Sequence, residues 1–106
     1  MLYIINYTLR GNIVDYSNLY SKIKELGDSY HQATETLWFV HSDNPITVEN
    51  VVESIRPHLG KSDLLFVCGL PINASKDGIL SKLAWDFIKS CEAGNLTQLK
   101  TLNKTI

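Results

Sequence analysis

The stretch 28–42, DSYHQATETLWFVHS, decides the fold. Its second half, residues 36–42, is rich in aromatic and β-branched side chains and predicts a strong strand, while residues 28–33 predict a weaker one. Thr34-Glu35 between them is short enough for a hairpin. We therefore expect two adjacent antiparallel strands at the centre of the chain.

A helix and a strand are predicted on the amino-terminal side of this hairpin. Apolar side chains recur at helical spacing over residues 15–26, with Asp15 as the candidate N-cap. Gly27 follows, where a helix commonly ends in a residue with positive φ. Residues 2–9, LYIINYTL, contain no breaker and predict a buried strand.

The carboxyl-terminal side predicts a helix, a strand and a further helix. Thr47 is placed to cap the first helix, and Gly60 to stop it. Residues 63–69, DLLFVCG, predict a fourth strand, and residues 76–90 predict a third helix. Residues 92–106 are polar and are expected to form a loose tail.

The order of these elements, βαββαβ, predicts an α+β, ferredoxin-like sandwich with an additional C-terminal helix. Residues 1–91 form the predicted domain and residues 92–106 the flexible tail. Strands 36–42 and 63–69 carry apolar side chains on both faces, whereas a one-sided sheet would alternate. The second face should therefore be buried, most simply by a homodimer, although the third helix could cover it instead.

Composition excludes few functions. The 106 residues carry a net charge of -1, which does not mark the whole chain as a nucleic-acid or membrane binder. No apolar run reaches the length of a membrane span. Cys68 is expected in the core and Cys91 as a partly exposed thiol after the last helix; neither has metal-ligand spacing, and such cysteine usage suits a cytoplasmic location.

Familiar catalytic patterns are missing from the sequence, so no catalytic residue, cofactor or metal is predicted. There is no glycine-rich phosphate loop, nucleophile elbow or carboxylate-rich cluster. Asp28 and His31 are three apart on a strand and should point to opposite faces. His41 and His58 lack ligand spacing, and Asp43 is expected as a turn residue.

Four stretches resemble one group of small bacterial proteins. They are YIINYTL (3–9), YSNLYSKIKELGDSYHQATETLWFVHSD (16–43), VVESIRPHLGKSDLLFV (51–67) and AWDFIKS (84–90). The chain resembles the SinR-like proteins, distant relatives of the CRISPR-associated adaptation subunit called Cas-two. The resemblance implies a ferredoxin-like fold and a homodimer.

The resemblance also points to the end of the first strand. In Cas-two relatives that strand typically ends in Tyr-Asp-Leu, and the Asp is associated with divalent-metal binding and nuclease activity. The triplet here is Tyr7-Thr8-Leu9. A threonine hydroxyl is a poor Mg²⁺ ligand, so the family's metal site is not expected in this chain.

Five residues are candidates for binding. Tyr7, Tyr30 and Trp38 could form an aromatic platform for bases, although core packing explains such residues more easily. Arg10 is the basic residue at the end of the first strand, where relatives place chemistry. The candidate binding residues are Tyr7, Thr8, Arg10, His31 and Trp38.

The function predicted from these observations is that of a non-catalytic, homodimeric, Cas-two-like interaction module. It would bind nucleic acid or a protein partner and would have no membrane association. The alternative is a weak metal-dependent nuclease, Cas-two-like or a VapD-type ribonuclease, that uses other carboxylates such as Asp28 or Asp15.

Overall fold

The chain forms an antiparallel four-stranded sheet with helices packed on both faces. The structure, a computed structural model, describes residues 1–11, 13–71 and 74–93. In chain order the elements are β1 (Leu2–Thr8), α1 (Ser17–Glu25), β2 (Ser29–Gln32), β3 (Leu37–His41), α2 (Val48–Ile55), β4 (Leu64–Leu70) and α3 (Lys82–Ala93).

The sheet has the strand order β2-β3-β1-β4, and every pair of neighbours is antiparallel. Ile4 on β1 lies between Phe39 of β3 and Cys68 of β4. The α+β class and the four antiparallel strands are confirmed. Each strand boundary lies within one residue of the prediction, because runs of β-branched and aromatic side chains signal strands locally.

The first face of the sheet packs against α1 and α2, as expected. Each helix contributes two fully buried side chains four residues apart, which places them on one helix face. The buried residues of this core are Tyr3, Ile5, Tyr7, Leu19, Ile23, Trp38, Val40, Val51 and Ile55. Thr47 caps α2 as predicted, since its hydroxyl accepts the backbone N–H of Asn50 at 3.1 Å.

The second face packs against α3. The buried residues of this smaller core are Leu2, Phe39, Ala84, Phe87, Ile88 and Cys91. The apolar side chains on the second face of β3 are therefore covered within the chain itself. The part of the face formed by the end of β1 and by β4 is not covered in this way, because Leu64 and Phe66 remain exposed.

The last helix differs from its prediction at both ends. It begins at Lys82 rather than near residue 76, because the Ser81 hydroxyl accepts the N–H of Ala84 at 3.2 Å and so provides the cap. Cys91 is not a partly exposed thiol after the helix. It lies inside the helix and is buried, and this burial raises its pKa to about 12.

The first helix also differs in detail. It begins at Ser17, and Asp15 is not its N-cap residue: the Asp15 carboxylate accepts bonds from the N–H and hydroxyl of Ser17 at 2.9 and 3.1 Å. Gly27 does not have the positive φ expected of it. A Cβ at Gly27 would overlap the His41 carbonyl oxygen, so glycine is needed there for a close backbone approach.

The predicted tail lies mostly outside the residues that the structure describes. Residue 92 and residue 93 belong to α3, and residues 94–106 lie outside the described residues. In the parts of the chain that the structure describes, no helix is both long and apolar enough to span a membrane.

Candidate interaction surface

β4 forms one edge of the sheet. Within residues 1–11, 13–71 and 74–93 it pairs with β1 alone, so its outer edge has no strand partner. Its sequence, LLFVCGL, contains no charged residue and no proline. Charges and prolines are common means of keeping an edge strand from pairing with another chain. This edge lacks them over seven residues.

The same strand exposes two large apolar side chains. Leu64 is 54% exposed and Phe66 is 64% exposed. In the register of the sheet they lie opposite Thr8 and Asn6, and both of these β1 residues are also exposed. We call these four residues, together with the outer edge of β4, the β4 surface.

Shallow grooves follow β4 on both sides of its edge. One of about 220 Å³ is lined by Asn6, Thr8, Leu64 and Phe66. A larger one of about 480 Å³ lies between the start of α2 and the strand, and its lining residues are Met1, Tyr3, Ile46, Thr47, Val48, Glu49, Phe66, Val67, Cys68 and Gly69. Exposed apolar side chains beside grooves are typical of surfaces that bind other molecules.

The end of β1 is fixed to the start of β4 through Asp63. Its carboxylate accepts the backbone N–H of Arg10 at 2.7 Å, that of Gly60 at 2.7 Å and the Tyr16 hydroxyl at 2.9 Å. The N–H of Arg10 is the largest of the effects that lower the pKa of Asp63. These bonds therefore hold the end of β1, next to Thr8, against the start of β4.

The five predicted binding residues do not form one site. Tyr7 and Trp38 are buried under α1 and α2, at 2% and 1% exposure, so their ring faces are not an open platform for bases. Thr8 and Arg10 are exposed. Of the five, only Thr8 is part of the β4 surface as defined here.

His31 lies on the second face of the sheet, beneath α3. It is buried, and its ring stacks on Phe87 of α3 with 5.7 Å between ring centroids. Burial lowers its pKa, so the neutral form is favoured. Within the described part of the chain its Nδ1 has no hydrogen-bond partner. The side chain therefore belongs to the core beneath α3 and not to a surface that a macromolecule could contact.

Sequence reasoning did not select Leu64 and Phe66. Their alternation with Leu65 and Val67 was visible as apolar content on both faces of the strand. Exposure of one face could not be predicted, since it depends on where α3 crosses the sheet.

Comparisons of the chain with protein-family models, with curated proteins and with solved structures found no match.

Proposed function

We propose that this chain is a non-catalytic interaction module that works as a homodimer, with a second copy docked on the β4 surface. The observation that carries the proposal is the 64% exposure of Phe66 on an uncharged, unpaired edge strand. Leaving a large aromatic side chain in water forgoes about 1.5–3 kcal/mol of burial. A partner that covers Phe66 and the strand edge recovers this free energy.

In this proposal the sheet is ferredoxin-like. The strand order β2-β3-β1-β4, with antiparallel neighbours and with α1 and α2 on one face, supports that assignment. The resemblance to SinR-like proteins and Cas-two implies the same fold and the same homodimeric state. We also propose a cytoplasmic location, because Cys68 and Cys91 are free thiols.

A second copy suits the β4 surface because the strand can face itself. A two-fold axis that passes beside Thr8 places this surface of one copy on the same surface of the other. The two Phe66 side chains would then be buried between the copies, and the two β1 ends would meet. Since residues 64–70 carry no charge, like charges do not meet across such a junction.

The absence of catalysis rests on the chemistry of the β4 surface. Its side chains are Asn6, Thr8, Leu64 and Phe66, which offer amide, hydroxyl and hydrocarbon groups but no carboxylate. The adjoining carboxylate, Asp63, already accepts three hydrogen bonds. A divalent ion would therefore be held weakly there.

Nucleic acid is the runner-up occupant of this surface. Arg10 and Lys61 are exposed, and the loops that carry them meet at Asp63. Two cations provide little of the phosphate neutralisation that commonly gives nucleic-acid affinity. An apolar protein surface therefore fits the exposed Phe66 better than a nucleic acid does.

The test measures the self-association of the whole chain by sedimentation velocity over a concentration series. We expect a dimer in the tens of micromolar, and we expect Phe66→Asp to weaken its dissociation constant at least about thirtyfold, as for a residue worth ~2 kcal/mol at an interface. The matched control is Val14→Asp, since Val14 is a fully exposed apolar residue that lines neither of the two grooves beside β4.

Two results would contradict the proposal. One is a monomer at about 100 µM, a concentration at which even weak specific dimers form. The other is a dimer that Phe66→Asp leaves intact. Labelled RNA and DNA, added with and without Mn²⁺, complete the experiment: binding by a monomer would favour the nucleic-acid module, and cleavage abolished by Asp28→Ala would favour the nuclease.

A further inference from the structure

Three side chains with metal-ligating groups meet at the corner where β2 begins and β3 ends. The register pairs Ser29 with His41, and the N–H of Asp28 donates to the His41 carbonyl oxygen at 2.8 Å. The N–H of Asp43 donates to Oδ2 of Asp28 at 2.6 Å. This corner adjoins Leu2 at the start of β1, about 20 Å along the strand from Thr8.

The potential ligand atoms are close together. One atom each from Asp28, His41 and Asp43 lies within 4.8 Å of the others. The distance from His41 Nδ1 to Asp43 Oδ1 is 3.8 Å, too long for a hydrogen bond. Ligands bound at about 2.0–2.2 Å to one ion in tetrahedral geometry lie about 3.3–3.6 Å apart. Small movements of the two exposed carboxylates would therefore complete a coordination shell.

His41 provides a separate indication of a ligand. Its side chain is only 6% exposed, yet its Nδ1 has no hydrogen-bond partner among the residues that the structure describes. A buried polar atom without a partner costs about 1–3 kcal/mol. Because Nδ1 lies 3.8 Å from Oδ1 of Asp43, an ion held between the two side chains would satisfy it.

The charge of the corner favours a cation. Asp28 and Asp43 contribute two exposed carboxylates. The opposing positive charge nearby is the amino group of Met1, which donates to the Ser42 carbonyl oxygen at 2.9 Å. A neutral imidazole has a lone pair that can bind a metal ion.

The backbone around the corner is closely packed. Gly27 approaches so closely that a Cβ there would overlap the His41 carbonyl oxygen and lie 2.8 Å from Val40 Cγ1. The Asp43 N–H fixes Oδ2 of Asp28, and this bond does not involve Oδ1. Such outer contacts orient metal ligands before the ion binds.

We propose that Asp28, His41 and Asp43 bind one divalent first-row ion of the Mn²⁺ or Zn²⁺ class. One imidazole nitrogen and two carboxylate oxygens suit these ions better than Mg²⁺, which prefers oxygen ligands alone. Three protein ligands leave coordination positions for water. The site is at the other end of β1 from Thr8 and does not depend on the proposed dimer.

The experiment is calorimetric titration of the whole, chelator-treated chain with MnCl₂ and with ZnCl₂. We expect saturable binding of one ion per chain. Asp28→Asn and Asp43→Asn should each weaken binding at least about tenfold, since a neutral amide is a poorer ligand than a carboxylate. The matched control is Asp77→Asn, because Asp77 is exposed and accepts a local bond from the Gly78 N–H.

A spectroscopic measurement identifies the nitrogen ligand. His41→Ala could unfold the chain because the ring is buried, so the imidazole ¹⁵N shifts of the unmodified histidines are followed during the Zn²⁺ titration. The His41 signals should shift with saturation, while those of His31 and His58 should not. The proposal is overturned by the absence of saturable binding, by binding that survives both Asp→Asn substitutions, or by unchanged His41 signals at saturation.

Discussion

The indole N–H of Trp38 donates a 2.9 Å hydrogen bond to the Tyr7 hydroxyl, and that hydroxyl donates in turn to the Glu35 carbonyl oxygen at 2.9 Å. Both side chains are buried, and burial raises the pKa of Tyr7. The hydroxyl therefore keeps its proton and serves both as acceptor and as donor. This chain of bonds links β1 to β3 and to the turn before β3.

Removing the Tyr7 hydroxyl should destabilise the fold. Tyr7→Phe leaves the Trp38 N–H buried without an acceptor, and we expect a loss of about 1–3 kcal/mol in the free energy of unfolding. Urea unfolding measures it. In a double-mutant cycle with Trp38→Phe the coupling should be about 0.5–1.5 kcal/mol, and additive effects would show that the bond contributes nothing.

Replacing Asp63 should loosen the junction between β1 and β4. Its carboxylate accepts three hydrogen bonds, and an asparagine would turn an NH₂ group toward donors. We expect Asp63→Asn to lower the melting temperature at neutral pH, whereas Asp15→Asn, which alters local bonds to Ser17, should lower it less.

The effect of Asp63 should disappear in acid. The pKa of its carboxyl is lowered from 3.8, so the unfolded chain takes up this proton before the native one does. The stabilisation is therefore present above that value and is lost as the pH falls through the native pKa. Melting temperatures of the wild type and Asp63→Asn measured down a pH series should converge; a constant difference would contradict this explanation.

The elements of this fold could be predicted because their signals are local. The runs 2–9 and 36–42 lie within one residue of β1 and β3, and the spacing of Leu19 and Ile23 identified the buried side of α1. The start of α3 was predicted about six residues too early, since apolar Ile79 and Leu80 fit the helical spacing but precede the Ser81 cap.

The candidate sites depend on pairings that no local pattern contains. Trp38 was a candidate for stacking on bases, and only the register that sets it opposite Ile5 shows that it faces the core. Asp28 and His41 are thirteen positions apart in the sequence, and the β2–β3 hairpin brings them together. Phe66 is exposed because α3 packs over β3 and the start of β1 rather than over β4.

Acid should destabilise the core beneath α3 through His31. Burial lowers its pKa, so as the pH falls below about 6.5 the unfolded chain binds a proton that the native ring does not accept. Native stability is therefore complete above that pH and declines below it, until the native ring itself is protonated.

The substitution His31→Phe isolates this effect, because phenylalanine can still stack on Phe87. Urea unfolding of the variant should show a smaller loss of stability between about pH 7.5 and about pH 5.5 than that of the wild type. Some loss should remain, since burial lowers the pKa of His41 as well. An unchanged loss would mean that His31 does not titrate between the two states.

A side chain at Gly27 should be poorly tolerated. Its Cβ would overlap the backbone oxygen of His41, which cannot move without disturbing the β2–β3 pairing. We expect Gly27→Ala to cost about 3 kcal/mol, the upper range for overpacked sites. Gly69→Ala is the matched control: its nearest neighbour is the flexible end of Met1, at 2.9 Å, so the cost should be well under 1 kcal/mol. Equal losses in the two variants would contradict the close approach at Gly27.

A carboxylate at position 8 tests the resemblance to Cas-two. Thr8 is exposed at the end of β1, in the place of the family's Asp, and its hydroxyl carries no charge to hold an ion. A two-fold axis near this residue would bring two introduced carboxylates together, which is a favourable set for Mn²⁺. We therefore expect Thr8→Asp to gain one Mn²⁺ site per dimer.

The measurement is made in an Asp28→Asn background, so that the corner formed by Asp28, His41 and Asp43 does not contribute to it. Thr8→Asn is the matched control, because it has the size of Asp without the charge. Calorimetry should find the additional site in Thr8→Asp alone. If that variant is dimeric and still binds no additional ion, then the two β1 ends do not meet at the axis and the dimer differs from that of Cas-two. Cleavage of RNA or DNA by the unmodified chain, dependent on Mn²⁺ and lost in Asp28→Ala, would contradict the non-catalytic function itself.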